Sequence, residues 1–574
     1  MDITKLKSSR TSSRAGSTDR ASDARTTAAD NEVRSVAFVS LGCPKNLVDS
    51  EKMLGLLAAD GIIPVSYDPA NPDASMQADA VVVNTCGFLE ASKDESLSVI
   101  KDAIEQKKHG TVKRVVVAGC LVQRHRAKML DWAPGIDAMV GVFDRDHIVH
   151  AVRGTTPQRE TVDNTNKEKP KYWIHANALT KARDEGLKTV GLTVNGKDGR
   201  GVGYFEDDAA RLRLTPRHYA YLRISEGCNQ ACAFCTIPSI RGKMRSKPID
   251  RITTELRELL ADGAFEINLI GQDTTSFGDD IGIGFDQQDS ARDGLFARGG
   301  LPDLLKSLSD TMKHEAGHGW IRLMYAYPTS FRDEYIDAFA QLVQQGHLCP
   351  YIDIPLQHAS DRMLSAMRRN VTSYEQAEVL RKLRERVPGM AIRTTFITGF
   401  PGENEQDHQE LLAFIREQQF DAMGVFEYSK EDGTPAGTME NNPSLAVPAE
   451  TKRRRHNELM ELQQQIAFAK NEARAAKFDE ANPETTGERV DVLIDSTTST
   501  AGLHTTGVST NAALYQGRTS TQAPSVDSVT FVHSTQKLVP GELIKCVIVG
   551  SDGYDLIARP VEQLRVSRSL PVIG

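Results

Sequence analysis

Three cysteines fall within eight residues of one another, in the run Gly227-Cys228-Asn229-Gln230-Ala231-Cys232-Ala233-Phe234-Cys235. Cys-x3-Cys-x2-Cys spacing brings three thiolates onto one tight loop. That is enough to hold three irons of a 4Fe-4S cluster and leave the fourth iron without a protein ligand, which makes it a reaction site. A short apolar strand, Tyr219-Ala220-Tyr221-Leu222-Arg223-Ile224, feeds the loop. The alternative is structural zinc, but zinc usually takes four ligands in paired Cys-x2-Cys knuckles and no second pair is near.

The strand that feeds the loop opens a series. Glu266–Ile270, Ile321–Tyr325, Tyr351–Ile354, Ile392–Ile397 and Met423–Tyr428 also read as strands, separated by helical stretches at 250–262, 331–345, 373–386 and 405–418. Six such units predict an open or partial (β/α)6 barrel, a fold that puts its chemistry on loops at the strand C-termini, where the cysteine loop lies. Upstream, the apolar runs Val36–Leu41, Ala80–Asn84 and Val115–Ala118 lead into Cys43, Cys86 and Cys120, with helical segments around 46–59, 90–106 and 122–131. This alternation predicts a parallel α/β sheet covered on both faces, with ligands off its carboxyl edge. Cys43, Cys86 and Cys120 then converge on that edge. They are either ordinary buried cysteines or the ligands of a second 4Fe-4S cluster with an open iron. Cys43 and Cys120 directly follow glycines, which let backbone approach a bulky group. Cys349 and Cys546 have no partners in either pattern and read as structural.

The chain has 574 residues, 40% hydrophobic and 25% charged, with a net charge of −8. That composition supports several cored domains and supplies no overall positive field for nucleic acid or anionic membrane. No apolar run approaches the ~20 residues of a membrane-spanning helix, and no apolar secretory core opens the sequence. A cytoplasmic protein is expected, so its eight cysteines are not read as disulfides. The predicted layout is a disordered tail at 1–34, an N-terminal cluster domain at 35–153, a polar linker at 154–213, the partial barrel at 214–448, a connecting helix at 449–486, and a small antiparallel β-barrel at 487–564. Residues 276–300, rich in Gly and Asp, read as a surface insertion. A Ser/Thr-rich segment at 496–528 interrupts the last domain. The basic run Lys452-Arg453-Arg454-Arg455 reads as a solvated helix face, with RNA contact as the alternative.

The motifs Ser40-Leu41-Gly42-Cys43-Pro44-Lys45-Asn46-Leu47-Val48-Asp49-Ser50 and Asn84-Thr85-Cys86-Gly87-Phe88, with the lead-in Leu214-Thr215-Pro216-Arg217-His218-Tyr219-Ala220-Tyr221-Leu222-Arg223-Ile224-Ser225-Glu226-Gly227-Cys228-Asn229, resemble the methylthiotransferases. These are radical S-adenosylmethionine (SAM) enzymes with two clusters and a C-terminal barrel of the TRAM type. The resemblance covers roughly residues 35–562. The first and third motifs look like the branch that acts on ribosomal protein S twelve. The sister branch, which modifies a tRNA adenosine, typically carries Gly-Cys-Gln-Met-Asn where this chain has Gly42-Cys43-Pro44-Lys45-Asn46.

The resemblance implies methylthiolation of an aspartate β-carbon, an unactivated position suited to a radical route. The Cys228/Cys232/Cys235 cluster is expected to bind and reductively cleave SAM, and the Cys43/Cys86/Cys120 cluster to carry the sulfur. Phe234 reads as core or as a cover beside the SAM adenine. Gly271-Gln272-Asp273, ending the second barrel strand, reads as a turn or as a contact to the methionine end. The segment Phe396–Glu403, with Ile397 and Gly399, reads as a Gly/Pro turn or an adenine-side contact. His358 reads as a core histidine or a site residue. Expected partners are ribosomal protein S twelve or the small subunit and a flavodoxin- or ferredoxin-like electron donor, with nucleic acid not the primary target. Within 487–562 eight acids (Glu488, Asp491, Asp495, Asp527, Glu542, Asp552, Asp555, Glu562) face five bases (Arg489, Arg518, Lys537, Lys545, Arg559). An acidic barrel of this kind suits a basic ribosomal protein better than tRNA. Two rival functions stand beside this one: tRNA adenosine methylthiolation, and a non-catalytic iron-sulfur factor that binds RNA or the ribosome.

Overall fold

The computed structural model describes residues 32–65, 78–155, 171–186, 203–286, 294–498 and 512–564. Residues 1–31, and with them most of the tail expected to be disordered, lie outside these.

Valine-rich runs build the first sheet. Its strands are β1 (Ser35–Ser40), β2 (Ile63–Val65), β3 (Ala80–Thr85), β4 (Arg114–Gly119), β5 (Ala138–Val140) and β6 (Lys171–Trp173), all parallel in the order β2-β1-β3-β4-β5-β6. Val81, Val83, Val115 and Val117 pack into the core on one face, Val82 and Val116 into the core on the other. Side-chain alternation along strands covered on both sides gives this pattern. Register sets the functional edge. Ser40 pairs with Asn84 and Thr85 with Gly119, so Cys43, Cys86 and Cys120 leave the sheet side by side.

The stretch expected to be a linker, 154–213, contributes structure in its described residues. Lys171–Trp173 is the sixth strand, with Trp173 in the core, and Ala178–Asp184 is a helix with an Asn177 capping box. Tyr204, Glu206 and Asp208 are buried. A three-residue strand and side chains buried by ion pairing leave no apolar periodicity to read.

The second sheet has β7 (Tyr219–Arg223), β10 (Glu266–Ile270), β11 (Trp320–Leu323), β12 (Leu348–Asp353), β13 (Ala391–Thr398) and β14 (Ala422–Glu427), six parallel strands in the order β14-β13-β12-β11-β10-β7. It does not close, as expected of a partial barrel. Between β7 and β10 a short antiparallel pair, β8 (Ser225–Glu226) and β9 (Arg245–Ser246), brackets the cysteine loop. The 276–300 segment is partly interior. Phe277, Asp280 and Phe285 are buried, and Asp280 accepts from the Ser246 amide at 2.8 Å. Residues 287–293 of it lie outside the described set.

The long helix Ala449–Ala475 packs along β14 and leads to a closed five-stranded barrel of β15 (Arg489–Thr498), β16 (Ala513–Thr519), β17 (Thr530–Ser534), β18 (Leu543–Asp552) and β19 (Asp555–Pro560). Four of its pairings are antiparallel, and β17 runs parallel to β19. β16 lies inside the Ser/Thr-rich segment, with only the short run Ala512–Tyr515 to announce it. Residues 499–511 lie outside the described set.

This small barrel seats on the open one. Arg518 donates to Glu266 at 2.5 Å and to Asp495 at 2.8 Å. Arg322 reaches the Ser520 carbonyl at 2.7 Å. The Tyr351 hydroxyl and the Arg393 guanidinium meet Asp527 at 2.7 and 3.1 Å, and His218 meets Asp495 at 2.8 Å. These contacts correct the charge argument. Asp495 and Asp527 point inward, and Glu488 is held by Arg474 and Lys477, so three of the eight acids, with Arg518, are already engaged within the molecule. The basic run is a solvated face only in part, since Arg453 and Arg454 are exposed. Lys452 and Arg455 are buried, Lys452 bonded to Glu440 at 3.0 Å and Arg455 to Glu403 at 3.0 Å. Among the described residues no helix is long and apolar enough to cross a membrane.

Candidate active site: two cysteine triads across one interface

The first motif builds its own scaffold. Asn46, in the first turn of helix Pro44–Ala59, donates to the Leu41 carbonyl at 2.7 Å. Asn84 returns the link, donating to the Asn46 carbonyl at 2.9 Å and to Ser50 at 2.7 Å. Gly42 has φ +89°, and a Cβ there would lie 2.7 Å from Cβ of Cys86. Cys43, Cys86 and Cys120 stand within one another's electrostatic field, and burial pushes the Cys120 thiol up to about 12.

The second triad hangs between β8 and the helix Ile237–Arg241. The Gln230 amide donates to Cys228 Sγ and the Ile237 amide to Cys235 Sγ, each at 3.4 Å. Arg369 Nη1 lies 3.4 Å from Cys232 Sγ, and the Tyr327 hydroxyl 4.0 Å from it. Burial raises the Cys228 and Cys235 thiols to about 12.

A buried charge network joins the two. Asp49, from the first motif, takes Arg145 and Arg223 at 2.8 Å and Arg241 at 3.1 Å. Glu226, two residues before Cys228, takes Arg223 at 2.6 Å and Arg241 at 2.9 Å. Asp208 takes Arg223 at 2.5 Å, Arg145 at 2.8 Å and Lys247 at 3.1 Å. Lys247 continues to Glu255, which Arg211 links at 3.1 Å and extends to Glu51 at 3.5 Å. Although burial opposes ionisation, Arg241, Arg223 and Arg245 hold Glu226 at about 2. Arg241 also faces Cys120 and Cys43, so one guanidinium touches the surroundings of both triads.

Residues 35–141 match the uncharacterized protein family UPF0004, 222–415 the Radical SAM superfamily and 486–561 the TRAM domain. The chain is 36% identical over 523 residues to the ribosomal protein uS12 methylthiotransferase RimO of Desulforamulus reducens, spanning 91% of this chain and 98% of that protein. It is 36% identical over 534 residues to the protein of the same description from Anaeromyxobacter sp., spanning 93% and 95%. The chain belongs to the uS12 methylthiotransferase family.

Membership makes it a radical SAM enzyme using 4Fe-4S clusters, and the residues fit such groups. All six triad cysteines are free thiols. Buried thiols with raised pKa values become ligands when a metal displaces their protons, and the N–H groups aimed at the sulfurs suit a cluster.

The six residues expected to meet SAM divide. Phe234 and Ile397 join one apolar cluster with Ala233, Phe400 and Tyr428 beside the second triad. Gly271 allows close passage of Ser225, whose Oγ would sit 2.7 Å from a Cβ there. Gln272 donates to Glu226 at 2.8 Å, while its Oε1 and the Ser225 Oγ are buried without hydrogen-bond partners among the described residues, two acceptors open to a ligand. Asp273 is already engaged: Gln230, Thr275 and Ser276 each donate to it at 2.8 Å. Gly399 has φ +74° in a turn closed by Glu403 and lies against the Lys452 stem. His358 is fully buried; its Nδ1 accepts the Ala359 and Ser360 amides at 2.9 Å, while its Nε2 is buried without a hydrogen-bond partner among the described residues. The residues not found from sequence are Arg145, Asp208, Arg241 and Arg369. They lie in no cysteine pattern or strand-end motif, and only the folded chain brings them to the site.

Proposed function

We propose that this chain adds a methylthio group to the β-carbon of an aspartate in ribosomal protein uS12. The observation that carries this reading is the pairing of two three-thiol sites through one buried network. In it Cys43, Cys86 and Cys120 hold one cluster, and Cys228, Cys232 and Cys235 hold the other. Bound clusters and SAM supply the radical and sulfur-transfer chemistry. The chain's part is to place and seal them. Arg369 and the Gln230 and Ile237 amides orient the second set of sulfurs. Gln272 and Ser225 offer acceptors to the methionine ammonium, with Gly271 giving room. Phe234 and Ile397 supply an apolar wall for the adenine, Gly399 shapes the turn beside them, and Asp273 fixes Gln230. Asp49, Asp208 and Glu226 hold the two halves in register and keep water out. Electrons come from a flavodoxin- or ferredoxin-like protein in the cytoplasm, and nucleic acid is not the primary target.

The test is anaerobic incubation of iron-loaded protein with SAM, reductant and isolated uS12, followed by peptide mass analysis, with tRNA in a parallel reaction. Methylthiolated aspartate in uS12 and unmodified tRNA are expected. Modified tRNA with untouched uS12 would transfer the reading to the sister branch, and absence of SAM cleavage would leave a binding factor.

A further inference from the structure

Lys45 is 7% exposed. Among the described residues its ammonium has no hydrogen bond and no carboxylate within ion-pair distance; it lies 3.4 Å above the ring centroid of Tyr325. A buried cation is costly unless an anion meets it, and an aromatic face returns only part of that cost. The groups that share its surroundings are the Cys43 thiol, the carboxylates of Glu226 and Asp353, and one like charge, Arg241. Glu226 is committed to Arg223 and Arg241, and Asp353 faces Arg393 at 3.6 Å. Cys43 belongs to its triad, so among the described residues Lys45 has no carboxylate of its own.

Its position is specific. Lys45 stands two residues from Cys43. Tyr325 stands two residues before Tyr327, whose hydroxyl approaches Cys232 Sγ at 4.0 Å. Tyr325 stands in the field of Cys43, so the lysine–tyrosine contact sits beside the first triad on the segment whose Tyr327 reaches the second. Tyr325 holds φ +60°, a left-handed conformation that a bulky residue adopts at a cost and that concentrates at working sites.

We infer that Lys45 anchors the side-chain carboxylate of the substrate aspartate between the two triads. This rests on the uS12 reading above. The β-carbon is bonded directly to the carboxylate carbon, so fixing the carboxylate places the reacting C–H one bond away. The pairing also sets specificity, because an amide in the same place forfeits the charge-assisted hydrogen bond.

The test measures binding rather than turnover. Labelled uS12 peptides carrying either Asp or Asn at the modified position, mapped in the assay above, are titrated by fluorescence anisotropy against iron-loaded full-length protein. The wild type is expected to prefer the Asp peptide about tenfold or more. Lys45→Met, a similar stem without charge, should bind both within about twofold, and Lys45→Arg should retain part of the preference. A ratio taken within one preparation cancels partial loss of folded protein, and iron per chain is measured on each. The inference is overturned if Lys45→Met keeps the wild-type preference, or if the wild type shows none. A variant that loses iron from one site while still discriminating would assign Lys45 to the cluster instead. Failure of the underlying reading looks different: the wild type would leave uS12 unmodified in the mass assay, and the anchor would fall with it.

Discussion

A single methyl group at Gly42 has nowhere to go but into Cys86. Gly42→Ala is therefore expected to lower iron and sulfide per chain by about half, emptying the first site while the second stays filled; loss from both or from neither would contradict the separate assignment of the triads. Thiol burial gives a second expectation. Cys120, Cys228 and Cys235 hold their protons up to about 12 in the cluster-free chain, and metal binding must release them. Iron uptake by cluster-free protein should therefore strengthen as pH rises and be accompanied by acidification of weakly buffered solution. Uptake insensitive to pH between about 6.5 and 8.5 would speak against these thiols as ligands. The cysteines were legible in the sequence because ligand spacing and strand ends mark them. Lys45 stood inside a motif without its role showing. Arg241 and Arg369 carried no mark, because a cation buried by its partners obeys no periodicity.

The same contrast holds for elements. β3 and β4 announce themselves through valine runs buried on both faces, whereas β2, β5 and β6 have three residues each and borrow their stability from neighbours already in place. β16 hides in a polar stretch because its Arg518 and Thr519 are buried by ion pairing and hydrogen bonds, not by apolar packing. That pairing can be tested. Arg518→Met removes the guanidinium shared by Glu266 and Asp495, leaving Glu266 only Arg322. A loss of about 3–5 kcal/mol in unfolding free energy is expected from breaking a buried pair on one side, read by denaturant titration. A change below about 1 kcal/mol would mean that the small barrel is seated by other contacts.

At the scale of the whole molecule, the order of the chain is not the order of its contacts. Asp49 from the first domain, Asp208 from the connecting stretch and Glu226 from the barrel share Arg145, Arg223 and Arg241. No reading of sequence neighbours shows this meeting. Asp49→Asn, close in shape but neutral, should leave both clusters in place and SAM cleavage running, while the two halves lose their alignment. The expected signature is at least about a fivefold rise in 5′-deoxyadenosine formed per methylthiolated uS12, a ratio that follows from ångström-scale misplacement of reacting groups. An unchanged ratio would show that the network is only mortar. The network has a further consequence for how such a protein drifts over generations. Asp49, Glu51, Asp208, Glu226 and Glu255 cancel Arg145, Arg211, Arg223, Arg241 and Lys247 one for one. A neutral replacement at any one strands an opposite charge away from water, so inheritance can revise these ten positions only in compensating couples.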